Sequence, residues 1–476
     1  MAIKTQHSYS GLIGFAFAAC VSVLLIGCGG SAAPSGAAPA PSATYTIGGT
    51  VTGLGLASPV TLFNNNGDAL TVSVNGAFTF TTPISGSYAV TVGTQPWTQT
   101  CSVSGGTGSA SGNISNVQVN CVANAGRYVY TANQATNTIS QYAISQSGVT
   151  AGQLSAIGAD LPTGNSPSAV TVDPTGRYVY VANYASNTIS QYTISRSGAT
   201  AGQLTANGAD VATDTQPSAI MVDPTGHYVY VVNAGTNTVT QYTISLSGAT
   251  AGQLSANGTA VATGSTPSAI AADPTGRYVY VTNEGDYTIS QYAISRSGAT
   301  AGRLTGIGVA VGTGGTPRSV TVDPTGHYVY VANFSNHNIS QYTIVQSGAT
   351  AGQVALYGLD AVAMMSPSSV AVDPTGQFVY VAANTSLYQY TINQSGGTAG
   401  QLTDTGVHPP VTTSPNAITV DPSGHYAYVA NYDANSGSSS VSQFTINQSG
   451  PTAGQLTANG ADVGSGTGAT SIVVTP

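Results

Sequence analysis

The sequence from Gly126 onward repeats one phrase about every fifty residues, and this repeat constrains the fold more than any other feature. The phrase is well represented by "DPTGRYVYVANYASNTISQYTISRSGATAGQL", residues 173–204. Its first glycine marks seven copies, at Gly126, Gly176, Gly226, Gly276, Gly326, Gly376 and Gly424. A period of this length with several strands in each copy is typical of the blades of a β-propeller.

Each copy contains four segments with strand character. "PSAVTVDPTGRYVYVAN" supplies two alternating strands joined by a tight turn, in which Asp173 opens the turn, Pro174 presets φ and Gly176 closes it. "NTISQYTIS" predicts a third strand, and "GQLTANGADVA" predicts a weaker and more polar outer strand. The inner strands are apolar or aromatic on both faces, which predicts sheets that are covered on both sides by neighbouring blades.

The order of the segments predicts how the ring closes. The first copy begins at its second strand, near Arg127, and the missing strand reappears as "ATSIVVTP" at the end of the sequence. We therefore expect residues 470–474 to complete the first blade. The segment "VQVNCV" just before Gly126 competes for the same place, but we assign it to the preceding unit because Cys121 is expected to pair with Cys101 there.

The strand and turn motifs "YVYVAN", "YVYVTN" and "DPTGRYVY" resemble those of the YVTN-motif and lactonase-like family of seven-bladed β-propellers. The resemblance covers residues 123–476. It implies a closed seven-bladed ring and raises lactone hydrolysis as an activity. Sugar lactonases of the family often have "PHSV" where this chain has "PSAV" or "PRSV", so that histidine is absent here.

Residues 44–122 predict a separate small β-sandwich, because short alternating strands are broken by turns such as "NNNGD" at antiparallel spacing. Cys101 and Cys121 are expected to form a disulfide, which suits an exported chain. The predicted fold class is all-β: a seven-bladed β-propeller with a small N-terminal β-sandwich domain.

Residues 1–27 predict an export signal, with Lys4 ahead of an apolar run of signal-peptide length. "LIGC" resembles the bacterial lipobox, which implies acylation of Cys28 and attachment to a membrane; an ordinary secretory peptide cleaved further on is the alternative. Residues 28–43 are a Gly, Pro, Ala and Ser tether. We therefore expect an exported protein, lipid-anchored in the bacterial cell envelope at the outer membrane or cell surface.

The charge balance argues against one class of partner. Removal of the leader takes away Lys4, the only lysine, and leaves seven arginines against sixteen acidic residues. Such a chain is not expected to present a basic patch, so we expect no nucleic-acid ligand.

Sequence variation among the copies concentrates on the loops at one end of the predicted ring. Loops presented by a rigid scaffold are where binding residues usually lie. The variable positions that could contact a ligand are Tyr184, Asp214, Glu284, Asp286, Arg318, Phe334, His337, Met364, Met365, Tyr432 and Asp433. The alternative is that these positions are solvated and vary in sequence without any function.

Arg318 is the most distinctive of these residues, because four of the other copies place serine at its position and one places Asn416. A guanidinium beside a central channel suits the binding of an anion, although a surface ion pair with Glu284 or Asp286 explains it as well. His337 is the one candidate base on this face, since His227, His327 and His425 lie beside hairpin glycines at the other end.

The sequence favours a binding or scaffolding module for an unknown protein or carbohydrate ligand over an enzyme. One alternative is a lactonase-type hydrolase of an extracytoplasmic ester, with Arg318, His337 and Glu284 as weak catalytic candidates. The other is a purely structural surface module. No cofactor is expected, because the sequence shows no phosphate-binding glycine loop and no zinc cluster. No calcium site is expected either, because "DANSG" from Asp433 lacks the terminal glutamate of a calcium loop.

Overall fold

A computed structural model describes residues 43–55, 59–96, 99–124, 126–362, 366–411, 414–432 and 439–476. The described backbone is built from β-strands and six single-turn 3₁₀ segments, which confirms the all-β prediction. Among the residues that it describes, no helix is long and apolar enough to cross a membrane. The predicted leader with Lys4, residues 28–42 of the tether with Cys28, and the loop residues Met364, Met365 and Asp433 lie outside this range.

The first eight strands form two four-stranded sheets that enclose one apolar core. The strands are β1 (Ile47–Thr52), β2 (Val60–Asn64), β3 (Asp68–Val72), β4 (Gly76–Thr79), β5 (Gly86–Thr94), β6 (Gln99–Ser104), β7 (Thr107–Ala110) and β8 (Ile114–Ala123). The sheet orders are β4-β1-β8-β6 and β3-β2-β5-β7. The expected antiparallel arrangement is wrong at one pair, since β1 and β8 run parallel. In the first sheet β8 lies between β1 and β6 and pairs with both strands, parallel to β1 and antiparallel to β6.

The predicted disulfide between Cys101 and Cys121 is confirmed. The two cysteines lie directly opposite each other on β6 and β8, with 3.9 Å between their Cα atoms. Both are buried in the core of the sandwich. The bridge therefore joins neighbouring strands of one sheet rather than the two sheets.

The remaining strands form seven sheets, which we number as blades 1–7. Blade 1 contains β9 (Tyr128–Asn133), β10 (Thr138–Ile144), β11 (Leu154–Ala156) and β12 (Leu161–Pro162); blade 2, β13 (Pro167–Val172), β14 (Tyr178–Asn183), β15 (Thr188–Ile194), β16 (Leu204–Ala206) and β17 (Val211–Ala212); blade 3, β18 (Pro217–Val222), β19 (Tyr228–Asn233), β20 (Thr238–Ile244), β21 (Leu254–Ala256) and β22 (Val261–Ala262); blade 4, β23 (Pro267–Ala272), β24 (Tyr278–Asn283), β25 (Thr288–Ile294), β26 (Leu304–Gly306) and β27 (Val311–Gly312).

The last three blades follow the same plan with small departures in blade 6. Blade 5 contains β28 (Pro317–Val322), β29 (Tyr328–Asn333), β30 (Asn338–Ile344), β31 (Val354–Leu356) and β32 (Ala361–Val362); blade 6, β33 (Pro367–Val372), β34 (Phe378–Ala383), β35 (Ser386–Ile392) and β36 (Leu402–Asp404); blade 7, β37 (Ser414–Val420), β38 (Tyr426–Tyr432), β39 (Ser439–Ile446), β40 (Leu456–Ala458) and β41 (Val463–Ser465). The 3₁₀ turns are Gly148–Thr150, Gly198–Thr200, Gly248–Thr250, Gly298–Thr300, Gly396–Thr398 and Gly450–Thr452.

The outer strand differs from the expectation, because in six blades two short segments replace one strand. In blade 2, β16 pairs with one end of β15 and β17 with the other. The Gln191 side chain fills the interruption by donating from Nε2 to the carbonyl of Ala209 at 2.8 Å. The polar, glycine-containing phrase "ANGAD" therefore bridges the outer edge instead of continuing the ladder.

The C-terminal strand β42 (Ala469–Val474) completes blade 1, as the order of the segments predicts. It pairs antiparallel with β9, with Ile472 opposite Thr131 and Val473 opposite Tyr130. The ring is thus closed by pairing between the last strand of the chain and the first strand of the propeller.

Two circular sets of hydrogen bonds explain why the repeat is so uniform. In every blade the last tyrosine of "YVY", "FVY" or "YAY" is fully buried, and its hydroxyl donates to the glycine carbonyl of "AGQ" or "AGR" in the next blade at 2.7–2.8 Å. In every blade the glutamine of "SQY", "TQY" or "YQY", or Gln443 before Phe444, accepts the backbone N–H of the first residue of the next blade's outer strand. These residues join blade to blade, so a change in any copy would leave a buried polar group unpaired.

Candidate functional site

The hairpin turns and the variable loops lie at opposite ends of the blades. We call the end formed by the Asp-Pro turns and the "SGATAG" loops the turn face, and the end formed by the loops between second and third strands the variable mouth. The two loop types of the turn face meet directly, since the Arg296 guanidinium donates to the Thr275 carbonyl at 2.9 Å. At the variable mouth the innermost strands begin, and the residue that follows the proline near the start of each strand, or Ala469 in blade 1, forms its inner ring.

Six of these seven residues donate a side-chain hydrogen bond to a backbone carbonyl near the start of the next blade's innermost strand. Ser168, Ser218, Ser268 and Ser368 donate from Oγ to the proline carbonyl that begins the next innermost strand, at 2.6–2.8 Å. Thr470 donates to the Pro167 carbonyl at 3.0 Å, and Asn416 donates from Nδ2 to the Thr470 carbonyl at 3.0 Å. The contacts run around the channel as a polar ring with a single gap.

The gap lies between blades 5 and 6, where Arg318 takes the place of the hydroxyl. Among the described residues, Arg318 makes no hydrogen bond to the carbonyl of Pro367, which is the equivalent acceptor. Its side chain is 41% exposed. Blade 5 therefore lacks a stabilising contact between blades that the other six blades make, and it presents a guanidinium at the channel opening instead.

Arg318 is held by two neighbours that are themselves unlike their counterparts in other blades. Its Cζ lies 3.5 Å from the centroid of the Phe334 ring, and its Nε lies 3.5 Å from Oε1 of Glu284. Phe334 and Glu284 occupy the same position in consecutive blades, directly after the asparagine that ends the second strand. Their backbone N–H groups donate to Thr316 and Thr266, which fixes both loops. We call Arg318, Phe334 and Glu284 the mouth cluster.

The mouth cluster orients the guanidinium without using all its donors. Phe334 covers one face by a cation–π contact, and Glu284 approaches Nε. The two Nη groups have no hydrogen-bond partner among the described residues. A planar pair of N–H donors suits a carboxylate, or the carbonyl and hydroxyl oxygens of a sugar-derived ring.

His337 has a structural contact at the atom that a general base would use. Its Nδ1 accepts the backbone N–H of Ser366 in the next blade at 2.7 Å, and its backbone is left-handed with φ of 57°. Asn137, Asn187 and Asn237 occupy the same position and accept the equivalent N–H through Oδ1 at 2.7–2.8 Å. Nδ1 of His337 therefore takes the place of an asparagine oxygen, and the structure does not bring this residue into contact with Arg318.

The other predicted residues of the variable mouth are placed on it without joining the mouth cluster. Asp214 accepts from the Thr238 hydroxyl at 2.7 Å, and Asp286 accepts from the Ser265 backbone N–H at 2.6 Å. Both carboxylates thus brace loops. Tyr184 and Tyr432 are half-buried at the position equivalent to Glu284 and Phe334. Asp433, Met364 and Met365 lie outside the described residues.

No group of three metal-ligating side chains comes together within the described part of the chain. A cavity of about 710 Å³ lies between blades 6 and 7, lined in part by Pro410, Ser440 and Asp462. None of the predicted site residues lines it. Comparison of the copies in the sequence is sufficient to single out Arg318. The polar ring, the hydrogen bond of His337 and this cavity could not be found in the sequence, because they depend on contacts between blades.

A family model described as lactonase, seven-bladed β-propeller matches residues 110–255, 246–361 and 349–468. These overlapping matches span well over half of the chain. No curated protein matches the sequence. Solved structures with the same fold were found in large number.

Three of the solved structures show the extent of the likeness. A Bacteroides uniformis protein provisionally named a 6-phosphogluconolactonase has 16% identity and a TM-score of 0.61 over 73% of this chain and 99% of its own. A protein from Lactobacillus plantarum has 17% identity and a TM-score of 0.60 over 74% and 100%. The periplasmic gluconolactonase PpgL of Pseudomonas aeruginosa has 16% identity and a TM-score of 0.58 over 74% and 99%. At this level of identity the comparison concerns the fold.

Proposed function

The chain belongs to the lactonase family of seven-bladed β-propellers, and from this premise we propose that its variable mouth binds a sugar lactone or the corresponding open-chain sugar acid. The observation that carries the proposal is the replacement of a ring hydroxyl by Arg318. The other six blades keep a side chain that stabilises the ring at this position, so the exception is best explained by a ligand. The names of the similar gluconolactonases point to the same class of compound.

The mouth cluster supplies what such a ligand needs. The Nη groups of Arg318 would donate to a lactone carbonyl or to a carboxylate. Phe334 and Glu284 hold the guanidinium in place before the ligand arrives, which lowers the entropy that binding would otherwise cost. Tyr184 and Tyr432 at equivalent positions around the mouth could contact the ring of a carbohydrate.

The test compares the wild type with Arg318→Ser, because serine is the native residue at this position in four other blades. The protein used is the chain from residue 28 with Cys28→Ser, since residues 44–476 form one compact unit that contains every described strand. Titration calorimetry with a panel of sugar lactones and aldonic acids should show a dissociation constant about 10- to 100-fold larger for Arg318→Ser. Thermal stability should not fall, because the new hydroxyl can donate to Pro367.

The matched control is Arg277→Gln, which removes one positive charge from the turn face. Gln377 is the native residue at the equivalent position of blade 6, so the fold accepts this side chain. Binding at the variable mouth should be unchanged in this variant. Equal affinities of wild type and Arg318→Ser for every bound ligand would remove Arg318 from the site.

Hydrolysis of the bound lactone is a second candidate function, favoured by the family match and by the carboxylate beside the guanidinium. In this mechanism Glu284 takes a proton from a water molecule whose oxygen bonds to the lactone carbonyl carbon, while Arg318 stabilises the oxyanion. The ester C–O bond then breaks, and the proton returns from Glu284 to the departing ring oxygen. A Glu284→Gln variant that binds lactone normally but hydrolyses it at the uncatalysed rate would support this role; unchanged turnover would exclude it.

We also propose that the protein is anchored in the cell envelope through Cys28. The apolar leader, the "LIGC" sequence and the 28–43 tether support this location. Labelling of cells with an alkyne fatty acid should mark the wild type in the membrane fraction and leave Cys28→Ser unlabelled. An unlabelled wild-type protein would indicate an ordinary secretory peptide.

A further inference from the structure

Five of the seven arginines gather on the turn face of blades 1–4, although the low basic content of the sequence predicted no basic patch. They are Arg127, Arg177, Arg196, Arg277 and Arg296, which we call the basic sector. Arg177 and Arg196 are close enough that the charge of Arg177, after burial as the larger cause, contributes to lowering the pKa of Arg196. The equivalent positions of blades 5–7 hold only histidine and glutamine.

The fold itself does not require these arginines. At the position of Arg196 and Arg296 four of the other five blades use Gln146, Gln346, Gln394 and Gln448, each of which donates from Nε2 to the glycine carbonyl that precedes its own second strand at 2.8–2.9 Å. Arg296 donates to the same turn from Nη1. Glutamine thus meets the structural need at this position without charge, so Arg196 and Arg296 each add a positive charge that four other blades do without.

Two apolar side chains are exposed among these arginines. Leu246 stands in blade 3 where glutamine or arginine would donate to the turn carbonyl, and it is 57% exposed. Val149 lies in blade 1 at a position where four other blades carry alanine in the equivalent turn, and it is 100% exposed. Leu246 therefore cannot make the hydrogen bond to the turn carbonyl, and it presents a large aliphatic group to solvent.

The carboxylates of the turn face leave the basic sector positive. The aspartates of the hairpin turns are at most 4% exposed, and each is occupied by backbone N–H donors, as when Asp173 accepts from Arg177 and Tyr178 at 2.6 Å. Blades 1–4 hold three such aspartates, Asp173, Asp223 and Asp273, against the five arginines. Blades 5–7 hold Asp323, Asp373 and Asp421 with no arginine on this face. One side of the ring is positive and the other is negative.

We propose that the basic sector is a docking surface for a bilayer that contains anionic phospholipids. Arginines interspersed with exposed aliphatic side chains are the combination that binds lipid headgroups while inserting apolar groups at the interface. A nucleic acid or an acidic polymer would use the arginines but would gain nothing from Leu246 and Val149. Because the turn face and the variable mouth are opposite ends of the blades, docking in this way leaves the mouth cluster accessible.

The test is sedimentation with vesicles of phosphatidylcholine alone or with about a third phosphatidylglycerol, using the chain from residue 28 with Cys28→Ser so that no acyl chain contributes. We expect binding only to the anionic vesicles, and its loss at high salt. Arg177→Gln should lower the partition coefficient about fivefold, and the Arg177→Gln/Arg277→Gln double variant about 25-fold. Leu246→Gln, which carries the side chain native to four blades, should also weaken binding.

The control is Arg303→Gln, which removes the arginine that directly precedes β26 in blade 4 and whose Nε donates to Asn257 of blade 3 at 3.5 Å; every other blade has glutamine at this position. It changes the net charge as Arg177→Gln does but should leave partitioning unchanged, and thermal unfolding should show all variants to be folded. Equal losses for Arg303→Gln and Arg177→Gln, or no binding to anionic vesicles, would overturn the proposal. So would binding to heparin or single-stranded DNA that depends on the arginines but not on Leu246. Lactone binding at the mouth is measured separately, so the two proposals can fail independently.

Discussion

Each residue of the repeat can be compared with its counterparts in the other blades, so a residue that the fold requires can be distinguished from one that it does not require. At the left-handed position of the variable loop, Asn137, Asn187, Asn237 and His337 all accept a backbone N–H from the next blade. Asparagine suits this role, since it tolerates positive φ and carries a side-chain acceptor. His337 is therefore explained by the fold, whereas Arg318 is not.

This comparison predicts opposite outcomes for two variants of His337. His337→Asn should retain stability and any lactone hydrolysis, because its oxygen replaces Nδ1 as the acceptor for Ser366. His337→Ala should lower the free energy of unfolding by about 1–2 kcal/mol, since it leaves that N–H without its partner and places alanine at positive φ. Chemical denaturation and initial rates measure both effects. A folded His337→Asn protein that binds lactone but no longer hydrolyses it would make His337 the base.

At the scale of the strands, most of the architecture could be predicted from the sequence. The Asp-Pro turns, the alternating "YVYVAN" strands and the displaced "ATSIVVTP" segment were enough to predict seven blades and the pairing that closes the ring. The split outer strand and the parallel pair β1 and β8 could not be predicted, because they depend on side-chain contacts such as Gln191 to Ala209 and on which strands end up adjacent.

The closing strand β42 gives a prediction at this scale. Ile472 is 7% exposed and packs against residues of blades 1 and 7, so Ile472→Asp should destabilise the protein by about 3–5 kcal/mol by burying an unpaired charge. Ser471→Ala in the same strand is the control, since Ala169, Ala219 and Ala269 occupy the equivalent position. It should cost about 1 kcal/mol or less. Equal denaturation midpoints for the two variants would mean that β42 does not hold the ring closed.

The molecule as a whole combines a uniform framework with two localised exceptions. Seven tyrosine hydroxyls and seven glutamine side chains join the blades into a circle. These residues are the same in every blade, and the proposed functions do not involve them. The departures are the mouth cluster at one end and the basic sector with Leu246 at the other. In each, a residue has given up a hydrogen bond that its counterparts make. Binding a ligand at one face and a surface at the other is compatible with a single rigid ring.

The buried tyrosines also determine how the whole ring responds to alkali. Burial is the main cause that raises the pKa of the circular set Tyr130, Tyr180, Tyr230, Tyr280, Tyr330, Tyr380 and Tyr428. It also raises the pKa of Tyr142 and Tyr192 to about 12. The folded state therefore retains phenolic protons that the unfolded chain, with pKa values near 10, has lost. Stability is unaffected below about pH 10 and falls above it.

We expect a cooperative alkaline unfolding transition between about pH 10 and 11.5. At pH 11 each buried tyrosine lowers the free energy of unfolding by about 1.4 kcal/mol, so the seven of the circular set together offset about 10 kcal/mol, which is comparable to the whole stability of a typical domain. Circular dichroism and tyrosinate absorbance should change together, because the buried hydroxyls ionise only when the ring opens. Ionisation of every tyrosine of the protein near pH 10 with an unchanged far-ultraviolet spectrum would show that the hydroxyls are not held between the blades.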